Sequence, residues 1–333
     1  MNVWICIGIP LVVVGALVVV ALGGALLNLQ LIFGVIVPYL AFAAFLVGFI
    51  YRVVRWGRSP VPFRIPTVCG QQKSLPWIKA SYLESPYTKW GVVWRMALEI
   101  LFFRSLFRNT AMELKTGPKL IYGSSKWLWI AALAFHYSFL TVVVRHLRFF
   151  AEPYPALIHL IESLDGFLQV GAPGVMISGL VLLGAVGFLF LRRVVLPQLR
   201  YISLPADYFP LFVIGAVAAS GILLRYFTKV DVVAVKQLMM GLVTFQPKIP
   251  DGIGSLFYVH LFLVSVLIAY FPWSKLMHMG GVFLSPTRNL PNNSRAVRHV
   301  NPWNYPVPVH TYEEYEEEFR DKMIEAGLPV EKE

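Results

Sequence analysis

The sequence predicts an all-α integral membrane protein, a bundle of six transmembrane helices. Of its 333 residues, 57% are hydrophobic, and the mean hydropathy is +0.64, well beyond what a soluble domain of this size needs. Charged residues make up only 14% and collect between apolar runs. Each run approaches the roughly twenty residues that a helix needs to cross a hydrocarbon core of about 30 Å. The formal net charge of +11 is spread over the connecting segments rather than gathered in one patch with interleaved aromatics. That pattern points to membrane orientation and argues against nucleic-acid binding.

The first apolar run, 4–27, has no Lys or Arg between Met1 and Pro10. It lacks the positive n-region of a signal peptide and reads as a retained span. The second run is 30–51. The segment 52–126 that follows holds thirteen Lys or Arg against Glu84, Glu99 and Glu113, which assigns it to the cytoplasmic side. It is long for a connection, so it has structure of its own or a partner. Within it, Trp90 to Phe107 is apolar but interrupted by Arg95, Glu99 and Arg104. This stretch is too charged to span and suits a helix at the cytoplasmic interface or against a partner subunit.

The remaining runs are 127–147, 172–192, 208–228 and 255–274, with both termini inside. Arg192, Arg193 and Arg200 follow the fourth run, and Lys275, Arg288, Arg295 and Arg298 follow the sixth. The outer loops, 148–171 and 229–254, mix Lys and Arg with acidic residues. After Gly281 the chain is rich in Pro and Asn and reads as an extended arm. A capping box at Thr311–Glu314 then opens a short acidic helix. Such a tail cannot bury much surface alone and is suited to wrapping a soluble neighbour. The expected organisation is an extra N-terminal helix over 1–29, a core over 30–290 containing the 52–126 loop, and a cytoplasmic tail over 291–333.

Cys6 and Cys69 are too few for an iron–sulfur cluster, and no C-x-x-C-H is present. A haem in this chain would therefore be held without covalent attachment. With Cys6 in a span and Cys69 in a cytosolic loop, both are expected as free thiols.

Four histidines lie in or beside apolar runs: His136 and His146 at the third, His260 and His278 at the sixth. Ionisable residues inside a bilayer are costly and are retained where the protein uses them. Ten helical residues rise about 15 Å and eighteen about 27 Å, so each helix offers one imidazole near each face. The third run goes outward and the sixth returns. His146 and His260 therefore share the outer side, and His136 and His278 the inner side. Imidazole is a good axial ligand for haem iron, and bundles build cofactor sites from facing helices, so two bis-histidine b haems are expected. The plain alternative for each histidine is a polar residue bonded to a carbonyl or lying at an interface. His136 and His146 differ by some 80° in azimuth, and Pro272 should kink the sixth helix and re-aim His278. His159, His299 and His310 read as surface residues.

At the sixth run, Phe271-Pro272-Trp273-Ser274-Lys275-Leu276-Met277-His278 resembles the helix-end motif of the gamma-subunit family of respiratory nitrate reductases. The H-x9-H and H-x17-H spacings are similar to that family's as well. The loop GQQKSLPWIKASYLESPYTKWGVVWRMALEILFFRSLFRNT (70–110), the added first span and the tail NPWNYPVPVHTYEEYEEEFRDKM (301–323) resemble the DsrM branch. That branch comprises the cytochrome b subunits of the Dsr membrane complex of sulfur-metabolising prokaryotes. Related high-molecular-weight cytochrome complexes share much of the loop, so they and nitrate reductase-type complexes stand as alternatives.

The resemblance implies that His146 and His260 ligate the haem distal to the cytoplasmic partner, and His136 and His278 the proximal one. It implies oxidation of a quinol, usually menaquinol, near the distal haem and electron flow inward to DsrK, an iron–sulfur subunit similar to heterodisulfide reductase. DsrJ, DsrO and DsrP would be further partners. Arg145 adjoins a ligand and is the best candidate to contact a haem propionate or a quinone; Arg148, Lys229 and Lys236 are weaker ones, with interfacial snorkelling as the alternative. No catalytic residue is assigned, because such a subunit positions and tunes cofactors that carry the chemistry.

A transporter or proton relay is a competing reading, but it calls for inverted repeats. No repeat relates the halves, and no carboxylate falls inside the six runs as bounded above. A membrane anchor without haem is a third reading, and the anchoring role is compatible with the first.

Overall fold

The computed structural model describes residues 3–59, 70–117, 119–168, 173–285, 287–297 and 308–331. Cys69, Arg298, His299 and the 301–307 part of the arm lie outside the described residues. Among the described residues six helices are long and apolar enough to cross a bilayer, and the chain is a multi-pass membrane protein. α1 is Val3–Leu26 and α2 is Val37–Gly57, entered through a π-helical turn at Ile32–Ile36. α3 (Lys89–Phe102) and α4 (Arg104–Arg108) are followed by the antiparallel hairpin β1 (Thr110–Lys115) and β2 (Lys119–Ser124). Then come α5 (Lys126–His146), α6 (Ala156–Asp165), α7 (Ile177–Val195), α8 (Pro197–Ile202), α9 (Pro205–Tyr226) and α10 (Val232–Val243). The chain closes with α11 (Ser255–Tyr270), the single turn α12 (His278–Gly281) and α13 (Tyr312–Glu325).

The described chain forms two compact units, 1–52 with 96–281 and 53–95 with 282–331. In the first, helix is imposed by the solvent more than by propensity. α1 reads VWICIGIPLVVVGALVVVALGGAL, rich in β-branched residues that disfavour helix in water. Hydrocarbon offers no hydrogen bonds, so the backbone must satisfy itself internally, which also accommodates Pro10 within α1 and Pro210 within α9. Val12, Val19, Val20, Leu40, Val47 and Leu191 are exposed, as lipid-facing side chains are.

α5 packs on α7, α7 on α9, α9 on α11, and α1 against both α9 and α11. Val14, Leu182, Val186, Val213, Ile214 and Leu267 bury one core among these helices, with Phe135 and Phe139 of α5 against it. A second core gathers Ala21, Phe33, Leu224, Leu238, Tyr258 and Leu263 around α10 and the start of α11. α10 is apolar but too short to span. Asp231 caps it by accepting from the Val233 and Ala234 amides at 2.9 and 3.2 Å. The turn joining α1 to α2 is tight: a Cβ on Gly24 would lie 2.0 Å from the Phe33 ring.

The second unit ties the 70–95 loop to the beginning of the tail. The buried Asn292 donates from its amide to the Pro86 carbonyl at 2.6 Å, its side chain bonds Ser85, and its own carbonyl accepts from Gln72 at 3.1 Å. The first residues of the expected arm thus lie on the chain's own loop. Lys73 stands 4.8 Å over the Tyr87 ring. α13 begins at the expected capping box: Thr311 Oγ accepts from the Glu314 amide at 3.3 Å, and Glu314 Oε2 accepts from the Thr311 amide at 2.9 Å.

Candidate functional site

The four histidines of α5 and the α11–α12 segment meet in two pairs. His146 and His260 have ring centroids 6.4 Å apart with planes at 21°. His136 and His278 are 5.9 Å apart, nearly perpendicular at 82°. A straight α-helix would return His278 to the azimuth of His260 after five turns, while His136 and His146 diverge on α5. The mismatch is taken up where α11 ends at Tyr270. A 3₁₀ turn at Phe271–Trp273 leads to an extended Ser274 (φ −116°, ψ 177°), a second 3₁₀ turn at Lys275–Met277, and then α12. Pro272 starts this break because its nitrogen cannot donate to the helix ladder. α2 supports it: Arg52 Nε donates to the Pro272 carbonyl at 3.1 Å, and a Cβ on Gly48 would sit 2.8 Å from Pro272 Cβ.

Each imidazole uses Nδ1 within the protein. His136, His146 and His278 donate Nδ1–H to the carbonyls of Ala132, Val142 and Lys275 at 2.8, 2.7 and 2.9 Å. His260 Nδ1 lies 2.9 Å from Ser220 Oγ on α9. With Nδ1 so engaged, the lone pair left for a metal is on Nε2, the arrangement that orients histidine ligands in metal sites.

Metal–imidazole bonds are about 2.0 Å, and the ring centre lies a little over 1 Å behind the nitrogen. Two imidazoles on opposite sides of one ion therefore have centroids roughly 6 Å apart. Both pairs match that span. Among the described residues no cluster of three or more His, Cys, Asp or Glu side chains is grouped to hold a bare ion. A metal at either pair would need its other ligands from a macrocycle, and the donor set present fits a bis-histidine haem. The walls are apolar and aromatic: the Phe103 and Phe135 rings lie 4.9 and 5.1 Å from His136, and Phe149 lies 5.8 Å from His146.

Arg145 belongs to a buried polar cluster beside His146. Its guanidinium bonds Asp165, the last residue of α6, and donates to Ser178 Oγ at 3.0 Å. Asp165 also accepts from the Ser178 amide and hydroxyl at 2.7 and 2.6 Å. Arg145 is thus clamped between α6 and α7, while its buried Nε has no hydrogen-bond partner among the described residues. Arg148 pairs with Glu162 at 2.7 Å, and Lys236 of α10 pairs with Glu152. Lys229 lies in the αL region (φ 49°) after α9.

Sequence reasoning missed three of these contributors. Asp165 and Ser178 sit in or next to an outer loop whose fold no periodicity reveals. Ser220 is one of several small polar residues in apolar runs, and only its neighbour distinguishes it.

A fourth residue corrects the expectation that carboxylates are absent from the spans. α9 starts at Pro205 rather than 208, because Leu204 takes an extended conformation and Pro205 fits the first helical position. Asp207 therefore falls in the first turn, its side chain 3% exposed, capping the helix through the Leu204 amide at 3.0 Å. It accepts from Lys275 Nζ at 2.5 Å, with Arg193 at 4.0 Å. As an ion-paired cap at a helix end, it links α9 to the segment that carries His278.

Residues 88–299 match the model of the nitrate reductase gamma subunit family. The chain belongs to that family. All four histidines, Arg145 and Ser220 fall inside the matched stretch. The chain is similar to the Hdr-like menaquinol oxidoreductase cytochrome b-like subunit of Archaeoglobus fulgidus, 49% identical over 280 residues that cover 82% of this chain and 83% of the relative. The protein of the same description from Archaeoglobus profundus is 43% identical over 274 residues, covering 80% and 81%. These relatives extend the similarity well beyond the family model.

Proposed function

We propose that this protein is the cytochrome b subunit of a menaquinol-oxidising membrane complex, holding two b haems on His146 with His260 and on His136 with His278. The observation that carries the reading is the pair of imidazole couples, each with Nδ1 bonded inside the protein and centroids at the separation two axial bonds require. The relatives, menaquinol oxidoreductase subunits by name, point to menaquinol as reductant. Oxidation of one menaquinol yields menaquinone, two electrons and two protons. Haem supplies one-electron redox chemistry when bound. The protein's own part is to orient the four imidazoles, keep water away with Phe103, Phe135 and Phe149, and hold the two sites at opposite depths.

The Lys and Arg bias puts both termini and the 52–126 loop on the cytoplasmic side, so electrons run from the His146–His260 end to the His136–His278 end. Their acceptor is a cytoplasmic iron–sulfur subunit of the heterodisulfide-reductase type, as in the DsrM branch, seated against the loop and the acidic tail. Extra helix 1–29, dihaem core 30–290 and tail 291–333 are the corresponding functional divisions. Arg145 would face the propionate or quinone side of the first site through the unpartnered Nε.

A reduced-minus-oxidised spectrum of the purified protein tests the reading, with pyridine haemochrome giving the haem count. Two b haems per chain are expected, and His146→Ala should remove one and abolish menaquinol-dependent reduction of the other. Absence of b-type bands, or retention of both haems in His146→Ala, would overturn it.

A further inference from the structure

Three of the four paired histidines are held by their own segment, donating Nδ1–H to a carbonyl three or four residues earlier. His260 is the exception. Its Nδ1 faces Ser220 Oγ of α9, 2.9 Å away and forty residues earlier in the chain. Ser220 is 6% exposed, so no bulk water competes for this contact. A hydroxyl carries one proton, and Ser220 gives it to the Val217 carbonyl at 3.1 Å. Its oxygen is then free to accept from His260 Nδ1–H, the tautomer that leaves the Nε2 lone pair for a metal.

The next residue completes the seat. A Cβ on Gly221 would lie 3.3 Å from His260 Cε1, tighter than ordinary van der Waals contact. The Ser220–Gly221 pair thus combines one polar anchor with one missing side chain, at the level where α9 packs on α11.

We propose that Ser220 is a positioning residue that fixes the tautomer and ring orientation of His260 and sets the reduction potential of the His146–His260 haem separately from the other. The inference rests on the two-haem reading and adds to it the residue that tunes one site. A hydrogen bond from the far side of an axial imidazole raises its basicity and favours the ferric state. Removing the acceptor therefore raises the potential. The other three ligands bond backbone carbonyls, which no side-chain substitution deletes; His260 has the Val217 carbonyl near it as well, but its 2.9 Å contact is to a side chain, so α9 offers a handle on one haem alone.

The test is a redox titration of the full-length protein in membranes, with the two haems resolved, comparing the parent with Ser220→Ala, Ser220→Cys and Ser220→Thr. Cysteine nearly conserves the volume but accepts weakly, so it serves where the alanine variant does not fold. Threonine restores the hydroxyl. In Ser220→Ala and Ser220→Cys the reduction equilibrium of the His146–His260 haem should shift about tenfold toward the reduced form, 59 mV for a one-electron couple. The His136–His278 haem should keep its midpoint, and Ser220→Thr should lie near the parent. Selective loss of the first haem, rescued by threonine, supports the same role. Both haems retained with unmoved midpoints, or both shifted equally, overturns the role of Ser220 and leaves the ligation reading intact. A parent protein without b-type bands overturns the ligation reading itself, and this inference with it.

Discussion

Replacing Asp165 by alanine should destabilise the protein by removing the partner of a buried cation. Asp165 and Arg145 have side chains only 7% and 12% exposed, and Asp165 also accepts both Ser178 donors. Breaking a buried pair from one side typically costs about 3–5 kcal/mol, because the remaining charge stays desolvated. A chain of this length has an unfolding entropy of roughly 0.7 kcal/mol per kelvin by the soluble-protein average, so the expected fall in apparent melting temperature is about 4–7 °C. The assay is a double-mutant cycle on detergent-solubilised protein followed by intrinsic tryptophan fluorescence: Asp165→Ala, Arg145→Met and the double variant. Replacing both partners by apolar groups removes the uncompensated charge, so the double variant should fall far less than the two single losses added together. Strictly additive losses, or an Asp165→Ala protein that melts with the parent, would refute the view that this pair fastens the end of α5 to α6 and α7.

Three further outcomes are expected. The near-parallel rings of His146 and His260 (21°) and the crossed rings of His136 and His278 (82°) should give two low-spin ferric signals in electron paramagnetic resonance, the crossed pair the more anisotropic; a single indistinguishable signal from both haems would contradict the ring geometry. Gly48→Val pushes a side chain into Pro272, 2.8 Å from where its Cβ would lie, and should lower occupancy of the His136–His278 haem while sparing the other, read by haem content and the midpoint that disappears. Truncation at residue 300 should release the cytoplasmic partner during purification with both haems retained; undiminished co-purification would remove that role from the tail.

The sequence by itself determined the membrane class, the six spans and the identity of the four histidines. Those features depend on one-dimensional quantities, namely the length of an apolar run, the rarity of imidazole within it and the Lys and Arg content of what flanks it. It also determined the start of α13, because a capping box is a local hydrogen-bond pattern written in four residues. Helices outside the spans, α6 and α10, were not legible, since segments of 10 and 12 residues are helical by virtue of what they pack on.

Only the tertiary structure decided how the histidines, sorted into outer and inner couples by depth, come to face each other. Their azimuths on straight helices disagree, and the break at Pro272–Ser274 that reconciles them is a backbone conformation, which the proline permits but does not specify. The partners that come from other segments were likewise beyond the sequence. Ser220 reaches His260 and Asp165 reaches Arg145 from other helices. Burial makes such long-range polar contacts costly to lose, and periodicity along one segment carries no record of them.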